Sequence, residues 1–187
     1  MAKLIAFLLV LIVMLYVPQD IRAEKIAGQS ALLNVEKPQG ETDDVHTKRM
    51  IQRSVIREIL TRNNSPLVTE VDAFMDACIK HDIDCYLLPS ISGLESSYGK
   101  HLLQGSHNPF GWGGGYLLFD SWSESFHAVA GGLKKNYIGR GADTIEEIGP
   151  IYAASPTWAE RVRLIHNKFV ALESEKKTDQ TKIALGN

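Results

Sequence analysis

The chain has 187 residues, of which 44% are hydrophobic and 22% charged, and its formal net charge is −2. That length and balance suit one globular domain with extra sequence at its ends and argue against a second domain. With no global basic field, a nucleic-acid partner has no electrostatic support.

In chain order, Lys3 precedes an unbroken apolar run from Leu4 to Val17, closed by Pro18, Gln19, Asp20 and Arg22. The run is short for a membrane span and suits the apolar core of an export signal. Ala23 offers a small residue for cleavage, although Ile21 two places earlier is not the preferred small partner. Residues 1–23 are therefore expected to be a signal peptide or, if uncleaved, an anchor over 4–17 that is the chain's sole membrane contact. No cysteine follows the run, so lipid attachment is not indicated. The protein is expected to be secreted or held at the cell envelope.

Residues 24–47 are polar and irregular, with Pro38, Gly40, Asp43 and Asp44, and read as a linker. The stretch 173–187 reads as a polar tail, which leaves 48–172 as the folded domain. Inside it the apolar spacing is mostly helical. Ile51, Val55, Ile59 and Leu60 mark a first helix. Ser65-Pro66 pairs an N-cap with proline at the first helical position, ahead of an apolar face of Val68, Val71, Met75, Cys78 and Ile79. Asp84 opens the next helix, and Gly99 is expected to close it as the residue after the cap. Gly113 to Phe119, GGGYLLF, reads as a turn into a short strand. Ser121-Trp-Ser-Glu124 is a capping box ahead of Trp122, Phe126, Val129, Leu133 and Tyr137. Thr144 and Ser155-Pro156 open the last two helices, and Trp158, Val162, Ile165 and Phe169 stripe the final one. The expected fold is mainly α, of α+β type, with a small β-hairpin element after the Glu95 helix.

Cys78 and Cys85 allow one disulfide or two buried thiols, and these alternatives stand level. The six histidines show no HExxH or paired-ligand spacing, so no metal is expected, and no cofactor.

Glu95 is the residue that asks for chemistry. Leu88, Ile91, Glu95 and Tyr98 recur at spacings of three, four and three, which places them on one helix face, so Glu95 is expected to point with the core. A carboxyl removed from water is more readily protonated, the form a general acid needs. Equally, such a glutamate could be structural, satisfied by a tyrosine hydroxyl or backbone amides. Asn108-Pro-Phe-Gly-Trp112 and three glycines are expected to set exposed aromatics and bare backbone beside the acid, as sugar binding requires. A phosphate loop is disfavoured, because GxxxxGK[ST] is absent.

LLPSISGLESSYGK, NPFGWG, FDSWSESFHAVAGGL and IYAASPTWAERV, in that order across most of Ser65 to Phe169, resemble the glucosaminidase domain of glycoside hydrolase family 73. That family lies in the lysozyme-like superfamily, with the lytic transglycosylases. The resemblance implies an endo-β-N-acetylglucosaminidase that cuts the β-1,4-linked glycan strands of peptidoglycan, here expected to act as a monomer. By position Glu95 matches the family's catalytic acid, Tyr152 the tyrosine lining the groove, and Asn108, Phe110 and Gly111 the substrate-side loop. Tyr98 and Trp112, beside them, are expected to complete the substrate contacts. The chain lacks the Gly-Leu-Met-Gln run of many lytic transglycosylases and carries Cys85 where relatives often have proline.

Glycosidases commonly pair two carboxylates, with substrate-assisted exceptions. Asp120 is the favoured second group. Glu124 is better explained by its capping box, and the substrate's own 2-acetamido group could serve instead. Other readings are a lytic transglycosylase forming anhydro-muramyl ends, a catalytically silent glycan-binding module, and a structural part of an envelope complex. A nucleophilic hydrolase is disfavoured by the absence of a GxSxG elbow.

Overall fold

A computed structural model of the chain describes residues 42–184 and residue 186. The expected signal or anchor and the linker up to residue 41 lie outside the described residues. Among the described residues no helix is long and apolar enough to cross a membrane.

Helix α1, Asp43–Arg62, begins where the Thr42 hydroxyl accepts the Val45 N–H, with Asp43 and Asp44 at the positive end of the helix dipole. It buries Ile51, Val55, Ile56, Ile59 and Leu60. The helix therefore takes in residues 43–47 of the expected linker. Ser65 then caps as expected, accepting the Leu67 N–H at 3.0 Å and donating to the Tyr98 carbonyl at 2.7 Å. It caps a 3-10 turn, Pro66–Glu70, and α2, Val71–His81, starts only after that turn.

Asp82, left-handed at φ 50°, closes α2. A disulfide between Cys78 and Cys85, with 4.9 Å between Cα atoms, ties its last turn to the approach of the next helix. That resolves the two cysteine alternatives. Asp84 accepts the Tyr86 N–H at 2.7 Å, and α3 runs Leu87–Ser96. Seven of its ten residues are buried, including Ser90, Ser92 and Ser96. Their small side chains let neighbours close on nearly every side. The helix ends three residues before Gly99, because Ser97, Tyr98 and Gly99 all take left-handed φ, 52°, 60° and 81°. The Tyr98 N–H turns back to the Ser92 carbonyl at 2.9 Å.

Helix α4, Trp122–Asn136, opens with the Ser121 hydroxyl accepting the Glu124 N–H at 3.1 Å. The Glu124 carboxylate reaches the Asp120 N–H at 2.7 Å, one residue before the usual box partner. A 3-10 turn, Ile138–Arg140, leads to α5, Ile145–Tyr152, whose Thr144–Glu147 capping box is complete. The last helix, α6, runs Trp158–Ala184 and so carries the expected polar tail as helix. Lys176 bridges back to Glu58 of α1 at 2.6 Å.

Helix α2 packs on α4, where Phe74 stacks on Phe126 with centroids 4.0 Å apart, while α1, α3 and α5 pack on α6. The fold is mainly α. The expected β-hairpin is not formed, for no strand occurs among the described residues. Gly113, Gly114 and Gly115 have φ of 63°, 73° and 83°, which coil the segment where a strand needs extended backbone. One hydrogen bond, Phe119 N–H to the Ser106 carbonyl at 2.9 Å, stands where a ladder was expected.

Candidate functional site

Glu95 sits in the last turn of α3 and is exposed, contrary to the expectation that it points with the core. The reason is local. Leu88 and Ile91 on the same face are buried, but the helix stops at Ser96, and Gly111 opposite has no side chain to cover the carboxylate. Trp158 Nε1–H donates to Glu95 Oε1 at 2.6 Å. Oε2 faces the loop, 3.2 Å from where a Cβ on Gly111 would stand. One oxygen is thus fixed by an indole and the other faces the bare backbone of Gly111.

Trp158 joins this carboxylate to a row of aromatics. Its ring stacks on Tyr152 with centroids 4.6 Å apart, and Tyr152 lies 5.7 Å from Trp112 and 6.2 Å from Tyr137. Tyr137, Tyr152, Trp112, Gly111, Gly113 and Gly114 line an open cavity of about 310 Å³. The Tyr152 hydroxyl donates to the Phe110 carbonyl at 2.7 Å. Burial, and then the negative charge of Glu95, push this phenol well above its ordinary range, so it remains a neutral donor. The ring face is what Tyr152 offers a ligand.

No protein-family model matches this chain, and no curated protein matches its sequence.

The loop that carries Gly111 is stiffened from within. Asn108 is buried. Its amide donates to the carbonyls of Trp112 at 2.9 Å and Leu117 at 3.3 Å, while its oxygen accepts the Trp112 N–H at 3.1 Å. Ser96 Oγ lies 2.8 Å from the Pro109 carbonyl, which docks the loop onto the end of α3. Gly132 of α4 makes room for the Trp112 indole, since a Cβ there would come within 2.6 Å of the ring.

Of the expected substrate contacts, Gly111, Trp112 and Tyr152 line the cavity. Tyr98, Asn108 and Phe110 do not present their side chains. Tyr98 packs against Gly93, and Phe110 is fully buried edge-on to Phe126 at 5.5 Å. The loop aromatics expected to be exposed are therefore divided, with Phe110 inside and Trp112 half-buried. Asp120 is exposed at the start of α4, where its N–H is held by Glu124, and it takes no part in the contacts that fix Glu95. Trp158 and Tyr137 join the site although the sequence reading places them only on apolar helix faces. The signal available for Trp158 was chemical: a buried indole needs an acceptor for its N–H. Among the described residues no group of three or more His, Cys, Asp or Glu side chains could hold a metal.

Proposed function

We propose that the protein is an exported peptidoglycan hydrolase of lysozyme-like fold, an endo-β-N-acetylglucosaminidase in which Glu95 is the general acid. The observation that carries this reading is the carboxylate itself. It is exposed, held at one oxygen by Trp158, and coupled through that indole to the aromatic wall of an open cavity. Sugars bind by stacking on such faces and by hydrogen bonds to bare backbone, which the glycine loop supplies. The disulfide and the apolar run at residues 4–17 support folding outside the cytoplasm.

In the proposed reaction Glu95 Oε2 gives its proton to the glycosidic oxygen as the bond to the anomeric carbon breaks. Asp120 and the substrate's 2-acetamido oxygen are the two candidate second groups, and in the substrate-assisted route the 2-acetamido oxygen is the internal nucleophile. That oxygen bonds to the anomeric carbon, and the resulting oxazolinium is opened by water, whose proton returns to Glu95. The products are a free leaving-group hydroxyl and a reducing N-acetylglucosamine.

Mass spectrometry of fragments released from purified peptidoglycan tests the reading. Reducing N-acetylglucosamine ends are expected. Anhydro-muramyl ends would reassign the protein to the lytic transglycosylases, and bound glycan with no fragments would make it a binding module.

A further inference from the structure

The segment that joins Tyr152 to Trp158 borders a second cavity. Its residues Ala153 to Pro156, with one face each of α5 and α6, enclose about 710 Å³, against about 310 Å³ for the aromatic cavity. We propose that this groove holds the peptide stem of peptidoglycan, a short peptide with free carboxylates and, on a diamino acid, a free ammonium. The inference rests on the peptidoglycan reading above and names a second part of that substrate.

The lining distinguishes a peptide from a sugar. None of the ten lining residues is aromatic, so the groove lacks the faces on which sugar rings stack. Its floor is small instead. Gly149 is buried, and a Cβ on it would stand 2.8 Å from the Ala159 Cβ, so α5 and α6 meet there without an intervening side chain. With Ala153, these residues present methyl-sized surfaces that suit alanine side chains.

The rim carries both signs of charge, which an uncharged glycan does not call for. Arg163 Nε pairs with Glu146 Oε1 at 3.0 Å, and the rest of the planar guanidinium keeps its donors for a peptide carboxylate. Glu160 is exposed and forms no ion pair among the described residues, so its carboxylate is available to an ammonium. Pro150 has no N–H, which removes the usual helical donor to the Glu146 carbonyl and leaves a backbone acceptor beside the groove.

The groove is also within reach. It begins at Ala153, directly after Tyr152 in the aromatic wall, and the same segment leads to Trp158, which holds Glu95 at 2.6 Å. Four extended residues span roughly 13–14 Å, enough for a stem to pass from a sugar beside Tyr152 into this groove.

The test is calorimetric titration of the full chain with the soluble stem tetrapeptide alanyl-glutamyl-diaminopimelyl-alanine. One peptide per chain is expected. R163Q and E160Q, both at exposed positions, are each expected to weaken it roughly tenfold or more while keeping the wild-type circular dichroism spectrum. Glu95→Gln is expected to bind the peptide as the wild type does. No saturable binding to the wild type, or an affinity unchanged in both R163Q and E160Q, would overturn the site. Loss of affinity for peptide-free chitin oligosaccharides in the same two variants would make the groove a continuation of the sugar cleft and overturn the peptide assignment. Peptide binding in a chain that releases no glycan fragments would sustain this groove and remove the hydrolase reading, so the two fail separately.

Discussion

At the scale of single residues, Trp158 and Gly111 decide what Glu95 can do. Trp158→Phe keeps a ring on Tyr152 and removes the N–H that fixes Oε1. Losing a hydrogen bond to the neutral acid that gives the proton costs about 0.5–1.5 kcal/mol, so glycan cleavage should fall roughly 2- to 10-fold with little change in Tm. A large fall in Tm with cleavage intact would make Trp158 core alone. Gly111→Ala forces a side chain onto φ 63° and brings its methyl to 3.2 Å from Oε2. A destabilisation of about 1–2 kcal/mol in urea unfolding is expected, together with loss of cleavage.

At the scale of elements, the disulfide and the helix starts set the register of α2, α3 and α5. Cys78 and Cys85 are seven residues apart, a short loop whose closure removes about 2–3 kcal/mol of unfolded-state freedom. Urea unfolding with and without reductant should differ by that amount. The Thr144 and Ser121 caps and the apolar stripes are legible in the sequence because their partners lie within four residues. GGGYLLF misleads for the converse reason. Its tyrosine and leucines suit a strand, but three successive left-handed glycines coil the chain before any partner strand is met. The early end of α3, and with it the exposure of Glu95, depends on Tyr98 turning back into the core, and no local spacing encodes that.

For the whole molecule, the long-range ties are what the sequence conceals. Residues 173–184 read as solvated tail yet continue α6, anchored by Phe169 and Leu172 in the core and by the Lys176–Glu58 pair. Asp84 links the disulfide region to α6 through His166 at 3.0 Å. Burial alone would raise its pKa, but His166, the Tyr86 N–H and Lys48 outweigh that and leave it below the ordinary aspartate value. The native state therefore binds fewer protons there than the unfolded chain. The stability this confers is full above the ordinary aspartate range and is lost as pH falls through the native value. Asp84→Asn should unfold more readily than wild type near neutral pH, with the gap closing as pH falls below the ordinary aspartate range in paired thermal melts. A gap independent of pH would assign its effect to packing.

The Trp158 indole ties Glu95 to Tyr152 in the wall of the aromatic cavity. The most direct measurement is the rate at which Glu95→Gln releases soluble fragments from purified peptidoglycan, beside wild type and with matched Tm. Release indistinguishable from buffer is expected for the variant and steady release for the wild type. A folded Glu95→Gln protein that turns over near the wild-type rate would contradict it.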